Sequence, residues 1–103
     1  MKDMSKMLKQ LQQAQSRMME IQEELNARSM EGSAGGGMVK VIANGRHEVL
    51  SIQIEPSVVD AEDIEMLEDL VTAAVNDAMS RVDKMISSEM QKMSGSLGMP
   101  GLM

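Results

Sequence analysis

Val39-Lys40-Val41-Ile42-Ala43-Asn44-Gly45-Arg46-His47-Glu48-Val49-Leu50-Ser51-Ile52-Gln53-Ile54-Glu55-Pro56 reads as a β-hairpin lying between two long methionine-rich helical stretches. Asn44-Gly45 is the strongest short-range hairpin signal, because a type I′ turn needs positive φ at both central residues. Strands are expected over residues 38–43 and 48–55. Leu50, Ile52 and Ile54 alternate with Ser51 and Gln53, which predicts a half-buried second strand. Pro56 ends it, having no N–H to give to a ladder. A two-stranded hairpin is marginal alone, so this one must rest on helices, on another strand, or on a second copy of itself.

Upstream, Met4, Met7, Leu11, Ala14, Met18, Ile21 and Leu25 alternate spacings of three and four. That is a heptad seam on a helix over residues 3–27, uninterrupted by Gly or Pro. A seam so narrow calls for a partner helix. Residues 28–34 are ambiguous before Gly35-Gly36-Gly37. As a strand they would make the sheet a three-stranded meander. Downstream, Asp60 is expected as the N-cap of a second helix over residues 61–93, with acids in its first turn complementing the helix dipole. Ala73, Ala74 and Ala78 would allow close helix approach. The expected fold is α+β: a small antiparallel sheet of two or three strands between two long helices. Residues 1–93 form one domain, and residues 94–103, rich in Gly and Pro, a flexible tail.

A chain of 103 residues without Phe, Tyr or Trp lacks the largest contributors of buried area, and fourteen methionines replace them only partly. The monomer would leave apolar stripes in water, so self-association as a homodimer is expected. The absence of cysteine excludes disulfide and thiolate chemistry and fits a reducing cytoplasm. No apolar signal core or span-length run is present, so a cytoplasmic location without membrane contact is expected.

No catalytic constellation is found, and no enzyme activity, small-molecule substrate, cofactor or metal is expected. His47, the single histidine, reads as an exposed turn residue. A zinc site without Cys or a second His would need an unusual ligand set. Gly35-Gly36-Gly37 lacks the Lys-Ser or Lys-Thr of a phosphate loop and precedes a strand rather than a helix. The acids between Asp60 and Asp69 lack the spacing of a calcium loop.

The charge is polarised more than its net value of −6 suggests. Up to Arg17 the bases are Lys2, Lys6, Lys9 and Arg17 against the single acid Asp3. Between His47 and Ser80 nine acids stand with no Lys or Arg. On a helical wheel Lys2, Lys6, Lys9, Gln13 and Arg17 fall on one face, about a third of a turn from the apolar seam. Packing the seam therefore leaves this face free, either as an ordinary solvated face, which charge alone would favour, or as a surface for phosphates. Without aromatics to stack on unpaired bases, duplex contact through the backbone fits better than single-strand binding.

Gly37-Met38-Val39-Lys40-Val41, Asn44-Gly45, Ile52-Gln53-Ile54-Glu55-Pro56 and Leu67-Glu68-Asp69-Leu70-Val71-x-Ala73-Ala74-x-Asn76-Asp77-Ala78 together resemble the YbaB/EbfC family of bacterial nucleoid-associated proteins. Glu55 stands where the family usually has Asp. The resemblance covers nearly the whole chain. It implies a tweezer-shaped homodimer joined sheet to sheet, with helices projecting as arms. It also implies binding of double-stranded DNA that alters its conformation and influences nucleoid organisation and gene expression. Position and charge nominate Lys2, Lys6, Lys9, Arg17, Arg81 and Lys84 as DNA contacts. The alternative is an adaptor whose Met-rich arms grip helices of a protein partner.

Overall fold

The structure, a computed structural model, describes residues 2–96 and the side chains of residues 3–93. Five elements follow in order: α1 (Lys2–Ala27), β1 (Ser29–Ala34), β2 (Val39–Asn44), β3 (Val49–Ile54) and α2 (Ile64–Ser96). Both helices and both hairpin strands lie where the sequence places them, and the ambiguous segment is the third strand. The sheet is an antiparallel meander in the order β1-β2-β3. α2 runs on to Ser96, past the expected end at residue 93, and the rest of the expected tail lies outside the described residues.

Three local details differ from expectation. Gly45 has no positive φ, so the hairpin turn is not type I′; His47, at φ 62°, is the loop residue in the left-handed region. The Asn44 side chain shapes the loop instead, its Oδ1 accepting the N–H groups of Arg46 at 2.9 Å and Glu48 at 3.1 Å. The Asn44 carbonyl accepts the N–H of His47 at 3.0 Å. This is the three-residue hairpin loop, a type I turn closed by a left-handed residue. Second, Ile42 pairs with Ser51 but Ala43 pairs with Val49, so Leu50 is an extra residue in a β-bulge. The bulge puts Val49, not Leu50, on the face of Ile52 and Ile54. Third, Asp63 rather than Asp60 caps α2, its Oδ1 accepting the Met66 N–H at 3.2 Å. Asp60 shapes the preceding turn through the Glu62 N–H at 2.9 Å.

Pairing register places Val39, Val41 and Ala43 of β2 on the face that α2 covers, with Met30, Gly32 and Ala34 beside them on β1. Val39, Val41, Ala43, Ala74, Ala78 and Val82 are completely buried. Gly32 is the point of closest approach. A Cβ there would lie 2.2 Å from the Ala78 backbone nitrogen and 2.8 Å from the Ala74 carbonyl oxygen. α2 also seals the outer edge of β1, since the Asp77 carboxylate accepts the Ser33 N–H at 2.9 Å. β3 receives no such cover: Val49, Leu50, Ile52 and Ile54 are 41, 57, 43 and 38% exposed. The expected half-buried strand is exposed throughout in the single chain.

The molecule measures 75 × 25 × 15 Å, with a radius of gyration of 20.4 Å. A compact chain of this length would have about 13 Å. The excess comes from the helices, about 39 and about 50 Å long at 1.5 Å per residue.

Gly32→Ala is expected to destabilise the fold by at least about 1–3 kcal/mol, the range for overpacking. Because the clash is with α2 backbone, trimming Ala78 to Gly will not restore it. Urea unfolding at fixed protein concentration checks both variants.

Candidate nucleic-acid interface

α1 meets the body through its last turns. Leu25 is buried and Ile21 half-buried, while Met4, Met7, Leu11 and Met18 of the same seam are each more than half exposed. The hairpin loop holds the helix end. The Gly45 N–H donates to the Arg28 carbonyl at 3.0 Å. A Cβ on Gly45 would stand 1.9 Å from the Leu25 carbonyl oxygen, so only glycine permits this approach. Across the gap to α2, Arg28 Nη1 meets Glu89 Oε1 at 2.9 Å, and Lys92 Nζ approaches the same oxygen at 3.5 Å. The N-terminal part of α1 stands away from these contacts as an arm.

On that arm Lys6, Lys9, Gln13 and Arg17 are exposed along one face. Among the described residues, no ion pair involves Lys6, Lys9 or Arg17. Lys2 begins the same helix, and its side chain lies outside the described residues. The stripe occupies an arc of about 80° at 100° per residue and runs for about 22 Å. Apart from Asp3 in its first turn, the acids of α1 stand toward its base as Glu20, Glu23 and Glu24. The helix thus presents fixed positive charge at its free end, a surface suited to a polyanion's backbone rather than to a small ligand.

The α2 cations are placed differently. Arg81 Nε pairs with Asp77 Oδ2 at 3.1 Å, one turn earlier on the same helix. The Ser33 N–H, and after it the Arg81 guanidinium, hold the Asp77 carboxyl below its ordinary 3.8. Arg81 is therefore engaged in tying α2 to β1, whereas Lys84 is exposed without a pair. Arg28 first, with Lys92, likewise holds the Glu89 carboxyl below its ordinary 4.5. Among the described residues no group of three or more acids and histidines is arranged to hold a metal ion. No described helix is long and apolar enough to cross a membrane.

Residues 1–97 match the sequence profile of the YbaB/EbfC DNA-binding family. The chain belongs to that family. A nucleoid-associated protein of Pelotomaculum thermopropionicum is 53% identical over 100 residues, covering 97% of this chain and 95% of the relative. One of Moorella thermoacetica is 50% identical over 101 residues, covering 98% of this chain and 97% of the relative. The crystal structure of an uncharacterised protein from Helicobacter pylori superposes with a TM-score of 0.70 at 26% identity, covering 86% of this chain and 94% of that one.

Within this YbaB/EbfC chain the nominated cations therefore form two sets, the α1 stripe and the α2 pair Arg81 and Lys84. Sequence reasoning did not nominate Lys40 and Arg46, both exposed. The alternation that buries Val39, Val41 and Ala43 would have pointed Lys40 outward. His47, read as a bland turn residue, pairs through Nε2 with Asp83 Oδ1 at 2.6 Å. Nothing local signals that contact, because Asp83 lies 36 residues away.

The acid limb of stability follows from Asp77. A carboxyl whose folded pKa is depressed contributes stability that is complete above its unfolded value and lost as pH falls through the folded one. That loss is expected below 3.8. Urea midpoints compared from about pH 5 down to about pH 2.5 should fall less steeply for Asp77→Asn than for the unsubstituted protein.

Proposed function

We propose that this chain is a nucleoid-associated protein that binds double-stranded DNA as a homodimer and alters its conformation. The cationic α1 faces of two copies contact phosphates on either side of a two-fold axis. The observation that carries the reading is the row Lys6, Lys9, Gln13 and Arg17, exposed and unpaired on a helix that projects from the body. Membership of a DNA-binding family supports it, as do relatives named nucleoid-associated proteins. The same support favours a place in the cytoplasmic nucleoid. Neither family nor relatives favour the adaptor reading.

The net charge of −6 does not oppose it. Lys6 stands about 30 Å along the axis from the base of α1, whereas charges are screened over about 8 Å at physiological ionic strength. From Lys6 the acids of the body are several screening lengths away, while Arg17 stands nearer to them. The duplex therefore meets the arm as a local cation and is repelled from the body, which directs where it docks.

β3 supports the homodimer. It is an edge strand with free backbone groups and four exposed apolar side chains, which a monomer would normally blunt with charge, Pro or cover. A second copy, pairing there, shields it and sets two arms side by side.

Two experiments test these halves separately. Replacing Lys2, Lys6, Lys9 and Arg17 with Gln removes eight charges per dimer, so the slope of log affinity against log salt should fall by up to about seven. Gel-shift or anisotropy titrations at two salt concentrations read it; unaltered affinity and slope would exclude the α1 face. Ile52→Lys with Ile54→Lys places charge at the β3 surface without disturbing the monomer core. Burying such unpaired charges costs several kcal/mol, so self-association should weaken by about two decades or more. Light scattering across micromolar dilution measures this, and an unchanged dimer would place the interface elsewhere.

A further inference from the structure

We propose that Arg28 is a positioning residue: its ion pair with Glu89 sets the angle at which α1 leaves the body, and so the spacing of the cationic faces. The first half stands on geometry alone; the second rests on the DNA-binding reading above.

Arg28 is the single residue between α1 and β1, so no loop separates the arm from the sheet. Its backbone N–H still bonds to the helix, at 3.1 Å from the Glu24 carbonyl and 3.3 Å from that of Leu25. Its carbonyl accepts the Gly45 N–H. The main chain at Arg28 is thus fixed at the base, and only rotation about this point can swing α1. Its side chain crosses to α2, 61 residues away, and meets Glu89 at 2.9 Å. A cation at the pivot, tied to the facing helix, resists that rotation.

Packing of α1 against the body is confined to its base, where Leu25 is buried beside Gly45. Two helices set by interdigitated side chains lie about 8–10 Å apart with no space between. Here a cleft of about 290 Å³ lies between them, bordered by Ile21, Leu25, Arg28 and Glu89. The arm has room to move on the α2 side, and the charged pair sits at the base of that space. The Glu89 carboxyl, held below its ordinary value chiefly by Arg28, remains charged at neutral pH. The pair is partly solvated, with side chains 51% and 29% exposed, so it biases an equilibrium rather than locking one state.

Pulsed electron–electron distance measurements on the full chain, without DNA, test this directly. The protein contains no cysteine, so Gln12→Cys on α1 and Ser80→Cys on α2 take the only spin labels. Excess unlabelled chain restricts the signal to distances within one chain. Arg28→Ala and Glu89→Gln should each change the ratio of docked to displaced arm by about two- to fivefold, the scale of an exposed pair. Arg28→Lys should preserve it largely, and the exchange Arg28→Glu with Glu89→Arg should restore it. Circular dichroism confirms that helices are retained. Distance distributions unaltered in both single variants would overturn the proposal, as would a distribution that shifts but does not return in the exchange. Unaltered distances with weakened DNA binding would also overturn it, making Arg28 a phosphate contact instead. Failure of the unsubstituted protein to bind DNA would bear only on the function proposed above.

Discussion

The close contact of α2 with β1 at Gly32 is the constraint on which the rest depends. Gly32 below and Ala74 and Ala78 above remove the side chains that would hold helix and strand apart. α2 is thereby drawn over the β1 side of the sheet. A helix is about 10–12 Å across and strands lie about 4.8 Å apart, so one helix covers roughly two strands. With β1 and β2 beneath it, α2 cannot reach β3. The exposed Val49, Ile52 and Ile54 are a geometric consequence of that displacement, not a defect of packing. The same contact closes one sheet edge, through Asp77 and Ser33, and leaves the other open. The sheet therefore has one face and one edge through which a second copy can be joined.

The division of charge follows the division of shape. α2 and the β3–α2 connection hold most of the acids, and α1 carries an unpaired cationic row of Lys6, Lys9 and Arg17. Pairs within the chain serve its architecture: Arg28 with Glu89 and His47 with Asp83 across elements, and Arg81 with Asp77 along α2. Arg28 and Arg81 are compensated within the chain, while Lys6, Lys9 and Arg17 are not. Whether a basic residue is structural or offered outward is thus a matter of which acid the fold brings to it.

That distinction also marks what the sequence could disclose. Heptad spacing located α1, but of its seam only Leu25 is buried and Ile21 half-buried. The alternation read in the second hairpin strand located β3, yet Leu50, Ile52 and Ile54 are exposed in the single chain because α2 does not reach them. The ambiguous residues 28–34 lack a clear alternation because Gly32 and Ser33 answer to α2 rather than to the strand's own pattern. At the hairpin, Asn44-Gly45 located the turn but not its type. Asn44 bonds to Arg46 and Glu48 with its side chain, which a dipeptide preference does not encode. The bulge at Leu50 follows from that loop, and an alternating sequence cannot show it. On α2, Asp60 and Asp63 are chemically equal N-caps, and only the path of the preceding turn selects Asp63. On the cationic face, spacing alone found the α1 stripe. The spacing of four between Asp77 and Arg81 signals a helical pair, but not that the Ser33 amide on another element holds the same carboxylate.

Size then ties assembly to function. Among the described residues the core is Leu25, Val39, Val41, Ala43, Val58, Ala74, Ala78, Val82 and Met85, with no aromatic and three alanines. Such a core gives a single copy little margin, since small domains bury a low fraction of their surface. Covering β3 adds apolar burial at about 25 cal/mol per Å², on the residues that α2 cannot reach. In the proposed assembly the same event that completes the fold doubles the cationic face. Counterion release makes affinity steep in the number of phosphates engaged, so two arms differ from one by far more than a factor of two. Because dimer formation depends on concentration, stability and DNA affinity would rise together as the chain accumulates. DNA bridging both arms would in turn favour the dimer, by the reciprocity that links any two binding equilibria.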